Sequence, residues 1–215
     1  MSTQPPPAPK PAKPRLLQDG RDMFWSMAPL VLACIVLAGL LGMCSFQLSG
    51  PGTGPAPSYD AAAALRADAD ALDVPIRLPQ LPEGWQSNSG SRKGIEAGRT
   101  DPTTGQPVRA VSSIVGYLAP SGMYVSLTQS NADEAKLVAS INTDTRPVGA
   151  EDVAGVTWVV YEGGEQADQP AEPVWTTRLQ GPTGPAQIAI TGAGSEDEFR
   201  TLAAATQSAA PLPAD

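Results

Sequence analysis

The stretch that decides the fold is Val111-Ser112-Ser113-Ile114-Val115-Gly116-Tyr117-Leu118-Ala119-Pro120-Ser121-Gly122-Met123-Tyr124-Val125-Ser126-Leu127-Thr128. β-Branched and aromatic residues on both sides of a Pro-Ser-Gly turn spell a hairpin, and the alternation after the turn points Val125 and Leu127 to one face. The same plan recurs downstream. Residues 174–179, the turn Pro182-Thr183-Gly184, and Ala186-Gln187-Ile188-Ala189-Ile190-Thr191 predict a second hairpin with Ile188 and Ile190 inward. In its first strand Trp175, Thr177 and Leu179 share one face and Val174, Thr176 and Arg178 the other.

A helix is expected after each hairpin. Asn131-x-x-Glu134 and Ser195-x-x-Glu198 are both capping-box signatures, in which a cap side chain and the acid three residues on satisfy exposed backbone N–H groups. Behind them Ala135, Val138 and Ala139 stand where Phe199, Leu202 and Ala203 stand in the second copy. A Gly precedes a Trp-led strand before each hairpin: Gly84-Trp85, and Gly155 ahead of Trp158-Val159-Val160-Tyr161. Two βββα halves are therefore expected, with chance likeness of two ordinary hairpin–helix units as the alternative. The fold class is α+β, with a roughly six-stranded antiparallel sheet and two to three helices.

Working outward, Ala62, Leu65, Ala69 and Leu72 recur at helical spacing, so residues 59–72 read as an amphipathic helix that ends before Pro75. Pro75, Pro79 and Pro82 oppose regular structure up to Gly84-Trp85. Residues 92–107, rich in Gly, Thr and Pro, are expected to form a long loop. The folded domain is set at 59–206, followed by a disordered tail at 207–215.

Upstream lies an uncharged apolar run, residues 27–46, opened by Met27 and closed by Phe46. Roughly 20 helical residues span about 30 Å, the hydrocarbon thickness of a bilayer. Lys10, Lys13, Arg15 and Arg21 precede the run, and the first basic residue after it is Arg66, so the N-terminus is expected in the cytoplasm and the domain outside. Phe24 and Trp25 lie where interfacial aromatics belong, and Pro29 is placed in the first helical turn, where its missing N–H costs least. This divides the chain into a Pro-rich cytoplasmic tail (1–22), a signal-anchor helix (23–47), a Gly/Pro linker (48–58) and the exported domain. The expected location is the plasma membrane, crossed once, with the lipid bilayer as the partner of residues 27–46. A cleaved signal peptide and a lipoprotein acylated at Cys44 are the alternatives; Ser45-Phe46-Gln47 is a poor cleavage site, and Met43 is bulky for a lipidation motif. Ala38 and Gly42 form a small-xxx-small pair suited to close packing of two spans, or are ordinary span residues.

Both cysteines, Cys34 and Cys44, fall in that run, so the domain brings no thiol for a disulfide, a metal or a nucleophile. The chain has no histidine, which removes the commonest general base and metal ligand. Four of the 14 basic and two of the 22 acidic residues precede the run, leaving 10 basic against 20 acidic beyond it. So acidic a domain will not seek nucleic acid or anionic headgroups. The expectation is no enzyme, no catalytic, cofactor or metal-binding residues, and no cofactor.

Several local patterns invite chemistry and fit structure better. Gly192-Ala193-Gly194 is placed as a phosphate loop would be, but Glu196, Asp197 and Glu198 crowd the helix start and suit its dipole instead. Lys136 and Ser140 are spaced as a nucleophilic pair, yet a lysine near a helix start belongs in solvent. Asp68, Asp70 and Asp73 lie on a helical stretch and read as a solvated face, not a cation loop. The aromatics Trp85, Trp158, Trp175, Tyr117, Tyr124 and Tyr161 all fall on expected strands. Tyr124, Trp85 and Trp158 are the candidate contacts for a partner or ligand, and Tyr124, opposite Val125 and Leu127, is the one expected at the surface.

Arg21-Asp22-Met23-x-x-Ser26, Leu81-Pro82-Glu83-Gly84-Trp85, Gly116-Tyr117-Leu118-x-Pro120-Ser121-Gly122-x-Tyr124-Val125 with Gln129-Ser130, and Pro173-Val174-Trp175 together resemble the actinobacterial single-span family called domain of unknown function 4245. The resemblance covers residues 21 to about 206. It implies an actinobacterial envelope protein and supplies no activity or functional residues. The functional expectation is a membrane-anchored extracytoplasmic binding or accessory module for an envelope protein or ligand. A small-molecule or lipid-binding domain with a pocket between the halves is the second reading, and a carboxylate-based enzyme the third. Oligomeric state is left open.

Overall fold

The computed structural model describes residues 20–40, 57–163, 165–166 and 169–214. Contacts divide the chain into two units, residues 1–54 and 55–215. The described part of the first is one helix, α1 (Gly20–Leu40). It starts ahead of the apolar run, so Pro29 stands inside the helix and not in its first turn. There the ring removes one i→i−4 hydrogen bond. Trp25, Met27, Leu30, Val31, Leu32, Ile35, Val36 and Leu37 are exposed on it. Among the described residues no helix is long and apolar enough to cross a membrane. The expected anchor continues through residues 41–47, which lie outside the described residues, as do Cys44, the tail before residue 20 and linker residues 48–56.

Among the described residues the second unit holds three helices, α2 (Ala61–Ala71), α3 (Glu134–Ile141) and α4 (Glu196–Ser208). Its strands are β1 (Gln86–Thr100), β2 (Pro107–Leu118), β3 (Tyr124–Ser130), β4 (Thr145–Val153), β5 (Val156–Gly163), β6 (Glu165–Gln166), β7 (Gln169–Pro170), β8 (Val174–Gly181) and β9 (Gly184–Gly192). Seven of them form an antiparallel sheet in the order β1-β2-β3-β9-β8-β5-β4, and β6 pairs with β7 alone. The fold is α+β as expected, with seven strands in the main sheet where six were expected.

Both predicted hairpins form. Val115 faces Leu127 and Tyr117 faces Val125 across β2 and β3, and Trp175 faces Ile190 across β8 and β9. The hairpins join through β3 and β9, where Leu127 lies opposite Ile190. Pleating sends the apolar residues of these central strands to two layers. On the first face Leu65 of α2 and Phe199, Leu202 and Ala203 of α4 pack on Tyr117, Leu127, Trp158, Trp175 and Ile190. On the second, Leu137 and Val138 of α3 pack on Ile95, Ala97, Ala110, Val174 and Ala189. Burying one large aliphatic side chain is worth about 1.5–3 kcal/mol, so the larger first layer holds most of the core energy.

The strand of the main sheet that the sequence pattern missed is β4. Its Pro147 pairs with Tyr161 just before a register shift at Gly149, and it lies at the sheet edge, where a missing N–H is tolerated. Residues 92–107 are a loop only at 101–106; the rest extends β1 and β2, with Ile95 opposite Ala110. Asp101 shapes that loop by accepting from the Thr103 and Thr104 N–H groups at 2.7 and 2.9 Å. Residues 209–214, expected in a tail, run back beside residues 76–77: Arg77 bridges Pro211, and the Leu212 N–H donates to the Ile76 carbonyl at 2.8 Å. The Arg77 guanidinium donates to the carbonyls of Gln180 at 2.7 Å and of Ala209, which closes the end of α4.

The two helix starts differ. Ser195 accepts from the Glu198 N–H while Glu198 reaches back to the Ser195 N–H at 2.8 Å, a complete capping box. At α3 the expected box is absent: the cap position is Asp133, and no side chain caps the helix. Asn131 instead accepts from the Val111 N–H at 3.0 Å, tying the chain to β2. Gly192 and Gly194 explain the Gly-Ala-Gly turn before α4. A Cβ on Gly192 would strike the Tyr124–Val125 backbone, and one on Gly194 the Val125 side chain.

Candidate functional site

The expected contact residues do not converge. Trp158 is fully buried, with its indole N–H donating to Gln207 Oε1 at 3.0 Å, so it belongs to the core. Tyr124 is 40% exposed and turned to the second face, as the alternation predicts. Its hydroxyl lies 3.3 Å from Ser89 Oγ, above Gly116, where any Cβ would overlap both groups. Trp85 stands on the first-face side of the sheet, at the mouth of a cleft.

That cleft, ≈ 430 Å³, is built by three neighbouring pieces of chain. The lead-in to α2 is pinned to the start of β1: the Tyr59 N–H donates to the Ser87 carbonyl at 3.0 Å, and Ser87 Oγ returns a hydrogen bond to the Tyr59 carbonyl. The proline-punctuated segment before β1 supplies Leu78, Gln80 and Leu81, whose leucines also pack on the core. Tyr117 of β2 lines the cleft from the sheet, meeting Trp85 edge-to-face with centroids 6.5 Å apart. Such a pairing fixes both rings beyond what burial alone supplies.

The polar groups are few and largely uncommitted. Tyr117 is only 4% exposed, and its hydroxyl has no partner among the described residues. Burial pushes its ionisation well above the ordinary value of 10.0, so it stands there as a neutral phenol. Leaving such a group unpaired costs about 1–3 kcal/mol, and the oxygen is shielded within the wall of the cleft. Arg66, Gln80 and the Trp85 indole N–H also line or edge the cleft with no partner among the described residues. Asp60 spends Oδ1 on the Ala63 N–H at 2.9 Å, capping α2. A hollow of ≈ 670 Å³ at the other end of α2 is walled by Val74, Pro75, Pro182 and Pro211 and has no aromatic lining.

The remaining sequence patterns resolve into structure. Lys136 pairs with Glu96 at 2.5 Å and Ser140 Oγ donates to the Leu137 carbonyl at 2.7 Å, so the two are not a nucleophilic pair. Asp68, expected in solvent, is 5% exposed and accepts from Arg92 and Ser113, locking α2 to β1 and β2. No spacing rule marked it, because its partners come from strands far along the chain. Among the described residues no group of three His, Cys, Asp or Glu side chains is placed to hold a metal ion. The Tyr117 hydroxyl also escaped the sequence reading. The pattern put the ring on a strand but carried no sign that its oxygen would lack a partner.

Comparison with curated proteins and with solved structures found no match. The family model described as "Protein of unknown function (DUF4245)" matches residues 15–206, and the chain belongs to that family.

Proposed function

We propose that the chain is a membrane-anchored, extracytoplasmic binding module of an actinobacterial cell envelope, with no catalytic role of its own. The observation that carries this reading is the uncharged run from Met27 to Phe46, with four basic residues close before it and none after it until Arg66. The exposed Leu30, Val31, Ile35 and Leu37 of α1 support it, since a helix apolar all round needs a non-aqueous neighbour. The acidic charge of the domain suits a soluble module that does not adhere to anionic headgroups.

The test is a pair of C-terminal fusions expressed in a bacterial host. Alkaline phosphatase, which matures only outside the cytoplasm, is expected to be active, and a fluorescent protein that matures only inside is expected to stay dark. The reverse pattern overturns the reading. The cleft beside Trp85 favours a second form of the same proposal, in which the module binds a small molecule and not an envelope protein.

A further inference from the structure

We propose that the cleft between α2 and the start of β1 binds a neutral saccharide of one or two pyranose rings; this deepens the binding-module reading and rests on it for the ligand's extracytoplasmic source. The lining combines what a sugar presents. Trp85 and Tyr59, each half-buried, offer aromatic surface to the C–H face of a pyranose, at low entropic cost because each ring has two torsions, and Tyr117 backs Trp85 from the sheet. Polar groups stand around it in both senses: Arg66, Gln80 and the Trp85 indole donate, and Asp60 accepts.

Charge selects among ligands of this size. Asp60 and Arg66 both line the cleft and balance one another, so it is locally neutral within an acidic unit. An anionic ligand would face Asp60, and a cationic one Arg66. A ligand dense in uncharged hydroxyls satisfies both. The volume of ≈ 430 Å³ lies in the range of small-molecule sites, roughly 300–1,000 Å³, and suits one or two rings. Shape is prepared in advance, since the Tyr59–Ser87 hydrogen bonds and the Trp85–Tyr117 contact hold the walls without a ligand.

The experiment uses the full chain in micelles of a sugar-free zwitterionic detergent, with its four tryptophans labelled with nitrogen-15. N-acetylglucosamine, maltose and chitobiose are the neutral probes, glucuronate is the charged one, and a proline-rich peptide is the macromolecular one. At least one neutral sugar is expected to shift the Trp85 indole signal, assigned through Trp85→Phe, while Trp158, held by Gln207, stays in place. Gln80→Ala removes an exposed polar group of the lining and leaves the Trp85–Tyr117 contact in place, so it is expected to weaken that sugar on the order of three- to tenfold without loosening the fold. Arg66→Ala, at the rim, is expected to weaken it less.

Four results overturn the proposal: no shift of Trp85 at about 50 mM of any neutral sugar, a weak regime by any standard; a tighter response to glucuronate; a response to the peptide alone; or unchanged affinity in Gln80→Ala. The fusion reporters separate this outcome from the topology. An active phosphatase fusion with no sugar response removes the site and keeps the anchor. A sugar response with the domain inside removes the envelope as the ligand's source.

Discussion

The units β2-β3-α3 and β8-β9-α4 share a sequence plan, yet their helices pack on opposite faces of one sheet. A duplication related by a two-fold axis normal to the sheet would place both helices on the same face, so the two βββα halves are not copies in that sense. What differs is the exit from the hairpin. After β9, Gly192 and Gly194 allow a close pass over Tyr124 and Val125, and a capping box starts a helix of 13 residues on the larger core. After β3, Asn131 is spent on Val111 and the Asp133 N–H on the Ala97 carbonyl, and an uncapped helix of 8 residues covers the smaller one. Two similar strings thus fold into a load-carrying layer and a cover.

The widest gap between the units is expected from truncating their anchors. Phe199 is 1% exposed and meets Trp175 edge-to-face at 5.4 Å, so Phe199→Ala should cost about 3–5 kcal/mol. Leu137→Ala, in the smaller layer, should cost about 2–3 kcal/mol. Urea unfolding followed by tryptophan fluorescence reads both. Equal losses would mean that the two layers share the stability evenly.

Capping sharpens the same contrast at smaller scale. Ser195→Ala removes a working cap and should cost about 1 kcal/mol. Asp133→Ala removes no cap bond, only an exposed ion pair with Arg99 at 3.8 Å, and should cost no more than about 0.5 kcal/mol. A loss at Asp133 matching that at Ser195 would show that α3 depends on a cap after all.

The hairpins, α2 and the box at Ser195 were legible because each is written in local periodicity: Val125 with Leu127, Ile188 with Ile190, Ala61 to Ala71 behind Asp60. β4 was hidden by Pro147, which is harmless only at an edge, and edge position is a property of the whole sheet. The glycines of β1 read as loop because the alternation of Ile95 and Ala97 is short and their cover, α3, comes some 40 residues later. Asn131 has the spacing of a cap, but a backbone N–H across the strand competes for its side chain and wins. Of the expected contact residues, Tyr124 was legible from alternation and Trp85 from its aromatic type. Trp158 is placed in the core by partners far along the chain, Gln207 of α4 among them, and the cleft arises only when α2 folds over β1 and β2.

The smallest effects expected are opposite in pH. The Ser121 hydroxyl first, then the Ser195 N–H at 2.8 Å, with the Ser121 N–H at 3.2 Å adding less, hold the Glu198 carboxyl below the ordinary 4.5. A depressed carboxylate adds stability that is present above its unfolded value and is lost as pH falls through the folded one. On the other unit, burial first and then the bond to Glu134 at 2.7 Å push the Tyr161 phenol up from 10.0 to about 12. A raised phenol adds stability that is full below 10.0 and is lost as pH climbs toward 12. The α4 junction should therefore weaken in acid and the α3 tether in alkali. Glu96 and Asp101 are also depressed and Tyr117 is also raised, so each limb is read as a difference from the wild type. Glu198→Gln should flatten part of the acid limb and leave the alkaline one, and Tyr161→Phe should do the reverse. Both groups lie near enough to solvent that the differences will be modest. If Glu198→Gln follows the wild-type acid limb at every pH, the capping box is not what separates the two units.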